Sequence, residues 1–201
     1  MDPAVAAPYA CSGLTAFSAL KKIPDTHSED WIIIIGAGGV GINGILLSSA
    51  VHKAKILVID NNKEKRDKAI EAGAHAAFAP DEEEKIRSVI GIGASAAIDF
   101  VGMPETSDLA LSLVKKGGMV VVIGLYGGSL KLSLPLVPMR SITLRGSYVG
   151  ELRELRELVD IIKSGKIKLM PVKRQDLSTA NQAMSDLRAG KVNGRIVLIP
   201  S

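Results

Sequence analysis

The sequence predicts an α/β protein built on a doubly wound parallel sheet, with helices on both faces. Three observations carry this. Several strand-length runs are nearly continuous apolar stretches, as in Trp31 to Ile35 and Met119 to Ile123, where a half-solvated strand would alternate. These runs alternate with helix-length stretches, the order that gives parallel strands joined by crossover helices. The first run leads directly into Gly36-Ala37-Gly38-Gly39-Val40-Gly41, a G-x-G-x-x-G turn from a strand into a helix.

The elements follow in order from that turn. Gly36 permits the tight exit from the strand, and Gly38 lets backbone approach a pyrophosphate with no Cβ in the way. Gly41 allows the helix to pack close to the sheet. A pyrophosphate would rest on the free N–H groups at the helix N-terminus. The motif therefore points to a dinucleotide site of the Rossmann type. Lys55 to Asp60 reads as the second strand, and its acid follows Gly41 by 19 positions, close to the roughly 20 expected of a ribose-binding acid. Lys63 to Ala72 predicts a helix stopped by Gly73. Ala74 to Ala79 predicts a short strand. A helix capped by Asp81 runs to Ile90, with three glutamates in its first turn. Ala96 to Val101 predicts a buried strand whose Asp99 suits a hydrogen-bonded structural acid. Glu105 to Lys116 predicts a helix stopped by Gly117-Gly118, and Met119 to Ile123 the next strand. Tyr126 to Arg140, rich in Gly and Pro, predicts a loop with short pieces of structure. Ile142 to Ser147 predicts the last sheet strand, and Glu151 to Ser164 a helix with Leu152, Leu155, Leu158, Val159 and Ile162 on one face. The tail predicts a helix over Ser178 to Ala189, capped by Ser178, and a strand over Arg195 to Ile199.

Composition narrows the function classes. Apolar residues make up 47% and charged residues 23% of 201, enough for a core, and aromatics only 3%, so that core is aliphatic. The net charge of +4 comes from bases interspersed with acids, which argues against a nucleic-acid surface. No apolar run is long enough to suggest a membrane span. The apolar N-terminus has Asp2 where a signal peptide would be basic, and carries Pro3 and Pro8. A single cysteine, Cys11, excludes an internal disulfide and suits a reducing cytoplasm. His27, His52 and His75 show no metal-ligand spacing and suit surface or capping roles.

Several segments together resemble the cofactor domain of the medium-chain, zinc-dependent alcohol dehydrogenases. They are PYACSGLTAFSALK from Pro8, GAGGVG from Gly36, VIDNNKEK from Val58, AIDFVG from Ala97, KKGGMVVVIGLYGG from Lys115, LRGSYVG from Leu144 and GRIVLIP from Gly194. The resemblance implies an interdomain helix region over residues 1–25, an NAD-binding domain over 26–168, and a segment over 169–201 that belongs to the catalytic domain. That catalytic domain does not precede Pro8 in this sequence, so the chain is expected to be part of a larger enzyme. Its tail is then expected to be poorly ordered or to pack on another chain. In the larger enzyme the resemblance implies hydride transfer between an alcohol and NAD, with zinc polarising the oxygen. Cys11, in a C-x-G-x-T pattern, would be one of three zinc ligands; its alternative reading is a small buried hydrophobe. One cysteine cannot hold zinc alone, so no proper zinc site is expected in this chain.

The resemblance also assigns the cofactor contacts. The loop Gly36, Ala37, Gly38, Gly39, Val40 and Gly41 would hold the pyrophosphate, which Arg195 would approach. Asp60 would bind the adenosine ribose and repel a 2′-phosphate, selecting NAD over NADP. Lys65 would reach the same ribose, while neighbouring Lys63 and Arg66 could favour a phosphate. Val101 would flank the adenine, and Thr15 would touch the nicotinamide face. Backbone groups of Ile123, Ser147 and Val149 would bind the carboxamide. The resemblance also implies a homodimer through the sheet edge near Thr143–Ser147, and the apolar segments Leu130 to Pro138 and Ile142 to Ser147 suit such a covered edge. Two other readings stand beside this one: a zinc-free quinone or enoyl reductase relative, against which Asp60 and Cys11 weigh, and a non-catalytic nucleotide-binding module.

Overall fold

A computed structural model describes residues 1–192 and 194–200. The chain opens with α1 (Pro3–Ala6), a 3-10 turn (Ala7–Ala10) and α2 (Ser12–Lys21). Then come β1 (Trp31–Ile35), α3 (Gly39–Val51), β2 (Lys55–Ile59), α4 (Lys63–Ala72), β3 (Ala76–Phe78) and α5 (Glu83–Ile90). The second half holds β4 (Ala94–Asp99), α6 (Pro104–Leu113), β5 (Val114–Val122), α7 (Leu136–Arg140), β6 (Thr143–Gly146) and α8 (Leu152–Lys163). The tail forms β7 (Val172–Asp176), a 3-10 turn (Leu177–Thr179), α9 (Ala180–Arg188) and β8 (Arg195–Ile199).

Six strands form one parallel sheet in the order β3-β2-β1-β4-β5-β6. The chain order reverses between β1 and β4, which opens a crevice at the carboxyl ends of these two strands. Alternate strand residues serve opposite cores, as the two-residue period requires. Ile32, Ile34, Ile56 and Val58 pack with Phe17, Leu20, Leu47 and Leu158 on one face. Ile33, Ile35, Leu57 and Ile59 pack with Ile86, Ile90, Leu111 and Leu113 on the other. A strand buried on both faces must be apolar at every position, which accounts for the run of four isoleucines in β1. Helix α2 lies against α3 and is buried from Ser12 to Leu20.

Several boundaries differ from expectation, each for a physical reason. Helix α6 ends at Leu113, short of Lys116. The β-branched Val114 is buried and pairs with Ala94, while Arg140 donates to the carbonyls of Leu111 (2.9 Å) and Val114 and so caps the helix end. Gly117-Gly118 fall inside an irregular stretch of β5, since Ala94 faces Val114 and Ala96 already faces Met119. β4 runs over Ala94–Asp99, two residues earlier than expected, because the N–H of Val101 bonds the Asp99 carboxylate (2.9 Å) and not the ladder. Strand β3 is confined to three residues. The α5 N-cap position belongs to Glu82, not Asp81, and its carboxylate accepts from the Ala79 N–H at 2.8 Å. α9 starts at Ala180, after a turn in which Asp176 accepts from the Ser178 N–H (2.8 Å), so Ser178 is not its cap. β7, polar and mostly exposed, carries no periodic signal.

The tail pairs β7 with β8 in a second parallel sheet and packs on the N-terminal segment of its own chain. Met170 N–H donates to the buried Tyr9 hydroxyl at 2.8 Å, and Arg174 pairs with Asp2. The expectation that the tail lacks an ordered partner within the chain is corrected accordingly.

Candidate dinucleotide-binding cleft

The glycine turn has the form its spacing implies. Gly36 leaves β1 at φ 90°, and its N–H donates to the Ile59 carbonyl at 2.8 Å. A Cβ on Gly41 would stand 1.8 Å from the Gly36 carbonyl oxygen, so the third glycine closes the turn onto the helix. A Cβ on Gly38 would meet nothing within 4 Å. Gly38 is thus not demanded by packing; the space beside it is open to a ligand. No side chain caps α3, which leaves the N–H groups of its first turn facing that space.

Asp60 follows β2 and is only 8% exposed. Its Oδ2 accepts from the Ala37 N–H (2.8 Å) and its Oδ1 from the Asn62 N–H (2.9 Å), so the acid is tied directly to the glycine turn. Arg66, which could have served a 2′-phosphate, donates instead to the carbonyls of Asp60 (2.7 Å) and Asn61 (3.1 Å). Lys63 pairs with Asp67 at 2.8 Å. Lys65 borders the cleft.

The opposite wall begins at the end of β4. Asp99, fully buried, accepts from the N–H groups of Val101 and Gly102 and from the hydroxyls of Thr106 and Ser107, all within 2.9 Å. It is the structural acid expected, and it presents Val101 to the cleft. The ring of Phe100 packs on Gly44 and Gly41. Phe100, Met103 and Tyr126 also border the cleft, and the sequence assigns none of them a role there. Their only trace in the sequence is position, just beyond the ends of two strands. Gly102 and Gly124 let those ends meet, since a Cβ on Gly102 would lie 1.9 Å from the Gly124 oxygen.

Arg195 enters from β8. A Cβ on Gly39 would come within 2.6 Å of its Nε, so the guanidinium lies directly on the start of α3. That Nε is buried without a hydrogen-bond partner. Burial pushes the guanidinium below its ordinary pKa, partly opposed by the nearby Cys11 thiol. A desolvated cation with no ion-pair partner among the described residues, at a helix N-terminus that also attracts anions, marks a place for a ligand's negative charge.

Together these groups enclose a cleft of about 800 Å³. It brings together Gly36, Gly38, Gly39, Val40 and Gly41 with Asp60, Lys65, Val101 and Arg195. Ala37 borders an adjoining cavity. The orphaned guanidinium, the open space at Gly38 and the buried acid fit a dinucleotide, which needs a pyrophosphate anchor and a ribose acceptor on one cleft.

Five expected residues lie elsewhere. Thr15 is buried in α2, its N–H bonded to the Cys11 carbonyl at 2.8 Å. Cys11 is exposed, which overturns its reading as a buried hydrophobe, and borders a neighbouring cleft together with Arg195. Ile123 and Ser147 use their N–H groups within the sheet, on the carbonyls of Asp99 (2.9 Å) and Val122 (3.0 Å). Val149 sits at φ 52°, a strained conformation for a β-branched residue.

Among the described residues no three His, Cys, Asp or Glu side chains converge on a point. His52 is a buried helix cap, its ring nitrogens 2.8 Å from the Leu20 carbonyl and 3.3 Å from the Thr26 hydroxyl. His75 accepts from the Ile56 N–H at 3.0 Å. No helix among the described residues is long and apolar enough to cross a membrane.

Comparison with known proteins places this geometry in a family. Residues 39–164 match the model of the zinc-binding dehydrogenases. An NAD-dependent alcohol dehydrogenase of Sulfurisphaera tokodaii is 33% identical over 97% of this chain and 57% of its own length. The crystal structure of an alcohol dehydrogenase from Aeropyrum pernix superposes with a TM-score of 0.90 at 32% identity, covering 97% of this chain and 57% of that one. An acetophenone reductase from Geotrichum candidum, solved in complex with NAD, superposes with a TM-score of 0.82 at 28% identity, over 96% of this chain and 55% of that one. The chain thus spans a little over half the length of the relatives it matches.

Proposed function

The chain belongs to the zinc-binding dehydrogenase family, and on that footing we propose that it is the NAD-binding part of an enzyme that moves hydride between an alcohol and a carbonyl compound. The observation that carries the reading is the unpartnered, buried Nε of Arg195 against Gly39, with Asp60 bordering the same cleft. In this reading Arg195 and the first turn of α3 hold the pyrophosphate, and Asp60 receives the ribose hydroxyls with Lys65 beside it. Val101 flanks the adenine. Since the N–H groups of Ile123 and Ser147 are spent in the sheet, their carbonyls and the backbone of Val149 orient the carboxamide, with Thr15 at the nicotinamide face. NAD, once bound, supplies the hydride acceptor. Cys11, exposed beside Arg195, serves as a zinc ligand only where other residues complete the set. A single cysteine suits a reducing, cytoplasmic setting.

The commitment of Arg66 to backbone carbonyls and of Lys63 to Asp67 favours NAD over NADP. The test is a titration with NADH and NADPH followed by energy transfer from Trp31, the first residue of β1. Saturable binding with NADH preferred is the expected result. Asp60→Ala should narrow the NADH/NADPH preference by about tenfold or more, since a hydrogen bond to a charged group is worth about 1.5–3 kcal/mol. Unchanged discrimination in that variant would remove Asp60 from the site.

A further inference from the structure

The glycine turn separates two cavities. One is the dinucleotide cleft; the other, about 270 Å³, lies behind the turn between α3, α4 and the start of the tail. Gly38 and Lys65 border both. The second cavity has an apolar floor, formed by Ile42 and Leu46 of α3 with Leu169, Pro171 and Val192 of the tail. Its charged rim is unbalanced: Lys65, Lys68 and Lys168 face one carboxylate, Glu71. That carboxylate is already engaged by Lys68 at 2.9 Å, and the Lys168 ammonium reaches only the Glu71 backbone carbonyl, at 3.2 Å. Among the described residues the ammonium groups of Lys65 and Lys168 on this rim form no ion pair with a carboxylate. Leu169 of that floor is 46% exposed, apolar surface that the folded chain leaves uncovered.

An apolar floor under an excess of cations selects a ligand that is apolar in the body and anionic at one end. A nucleotide phosphate satisfies the rim but not the floor, and Asp60 does not border this cavity. A volume of about 270 Å³ has room for the body of a medium-chain acid. We propose that this cavity binds a medium-chain carboxylate, with its chain on Ile42 and Leu46 and its carboxylate between Lys65 and Lys168. Because Lys65 and Gly38 also border the dinucleotide cleft, the acid competes with the dinucleotide. The competition rests on the dinucleotide reading of that cleft; the acid site does not.

Octanoate titrated into the whole chain by calorimetry tests the site without cofactor present. The expected result is one bound octanoate, with neutral octanamide at least about tenfold weaker, as befits a charge-assisted contact. Lys168→Glu reverses a charge on an exposed side chain and should weaken octanoate by about tenfold or more while leaving NADH affinity within about twofold. Ala72→Leu, which fills the cavity from α4, should abolish octanoate binding. Octanoate should also raise the apparent Kd of NADH in proportion to its concentration. Absence of octanoate binding, equal binding of octanamide, or an unaffected Lys168→Glu variant each overturns the site. Octanoate binding that leaves the NADH Kd unchanged overturns the competition. Failure of NADH itself to bind, with octanoate bound, counts against the dinucleotide reading alone.

Discussion

Glycines of one motif do different work, and single substitutions separate them. Gly41 has no room for a Cβ, which would overlap the Gly36 carbonyl, whereas Gly38 has open space and an extended backbone that any residue can adopt. Gly41→Ala should destabilise the chain by about 3 kcal/mol or more, as forced overlap in a packed turn does. Gly38→Ala should leave the melting temperature unchanged and weaken NADH, because its Cβ occupies ligand space; thermal melts and titrations of the two variants check the contrast. Arg195 makes the complementary case. Its Nε is buried with no partner, so the free protein gains nothing from the charge. Arg195→Met keeps most of the stem and should leave thermal stability equal or higher, while weakening NADH and NADPH alike by about 10–100-fold. A variant that loses stability but keeps cofactor affinity would assign Arg195 to the fold alone. Asp60 and the glycines could be read from the sequence because local spacing defines them. For Arg195 only the resemblance speaks, since nothing near it in the chain signals that it reaches Gly39.

At the level of elements, the amino end of the sheet is held by one acid. Asp30, just before β1, accepts from the Ser95 hydroxyl of β4 (2.5 Å), the Lys115 ammonium of β5 (2.8 Å) and the His27 N–H (2.9 Å). These bonds, with that of the His27 N–H foremost, hold its carboxyl well below the usual carboxylate range. A group whose pKa is depressed by folding contributes stability that is present above its unfolded value, near 3.9, and is lost as pH falls toward the folded value. Asp30→Asn should therefore lower the melting temperature at neutral pH, and the gap to the parent should shrink as pH falls below about 4. A gap independent of pH would show that the charge of Asp30 carries no stability. Lys115 belongs to a stretch expected as helix. It could not be read otherwise, because the Arg140 cap that ends α6 comes from a distant segment. Helix and strand interiors were legible because a buried face imposes a period, whereas their ends are set by bonds to partners far along the chain. The two-stranded tail sheet was half legible: β8 is apolar, but β7 is polar and gains its shape from pairing.

For the whole molecule, β6 forms one edge of the six-stranded sheet, and all four of its residues are exposed. Leu144, 44% exposed, stands there, and Leu134 and Met139 of the preceding segment are uncovered as well. An open apolar edge of this kind pairs with another chain unless it is blunted. A homodimer through Thr143–Ser147 is expected, and Leu144→Lys should weaken it by about tenfold or more by removing buried apolar area and adding like charges. Sedimentation equilibrium checks both; a parent monomeric at high concentration would leave the edge without a partner. The sequence by itself determined the parallel sheet covered on both faces, the glycine turn and the acid that faces it. Each of these is enforced by neighbours: an apolar strand, a turn only glycine can make, a fixed spacing along one β-α-β unit. Only the tertiary structure decided that Arg195 lies unpaired on the start of α3, that Arg66 is spent on backbone carbonyls, and that a second cavity opens behind the turn. Those contacts join segments remote in the chain, and side-chain packing between remote segments leaves no period or spacing in the sequence to read.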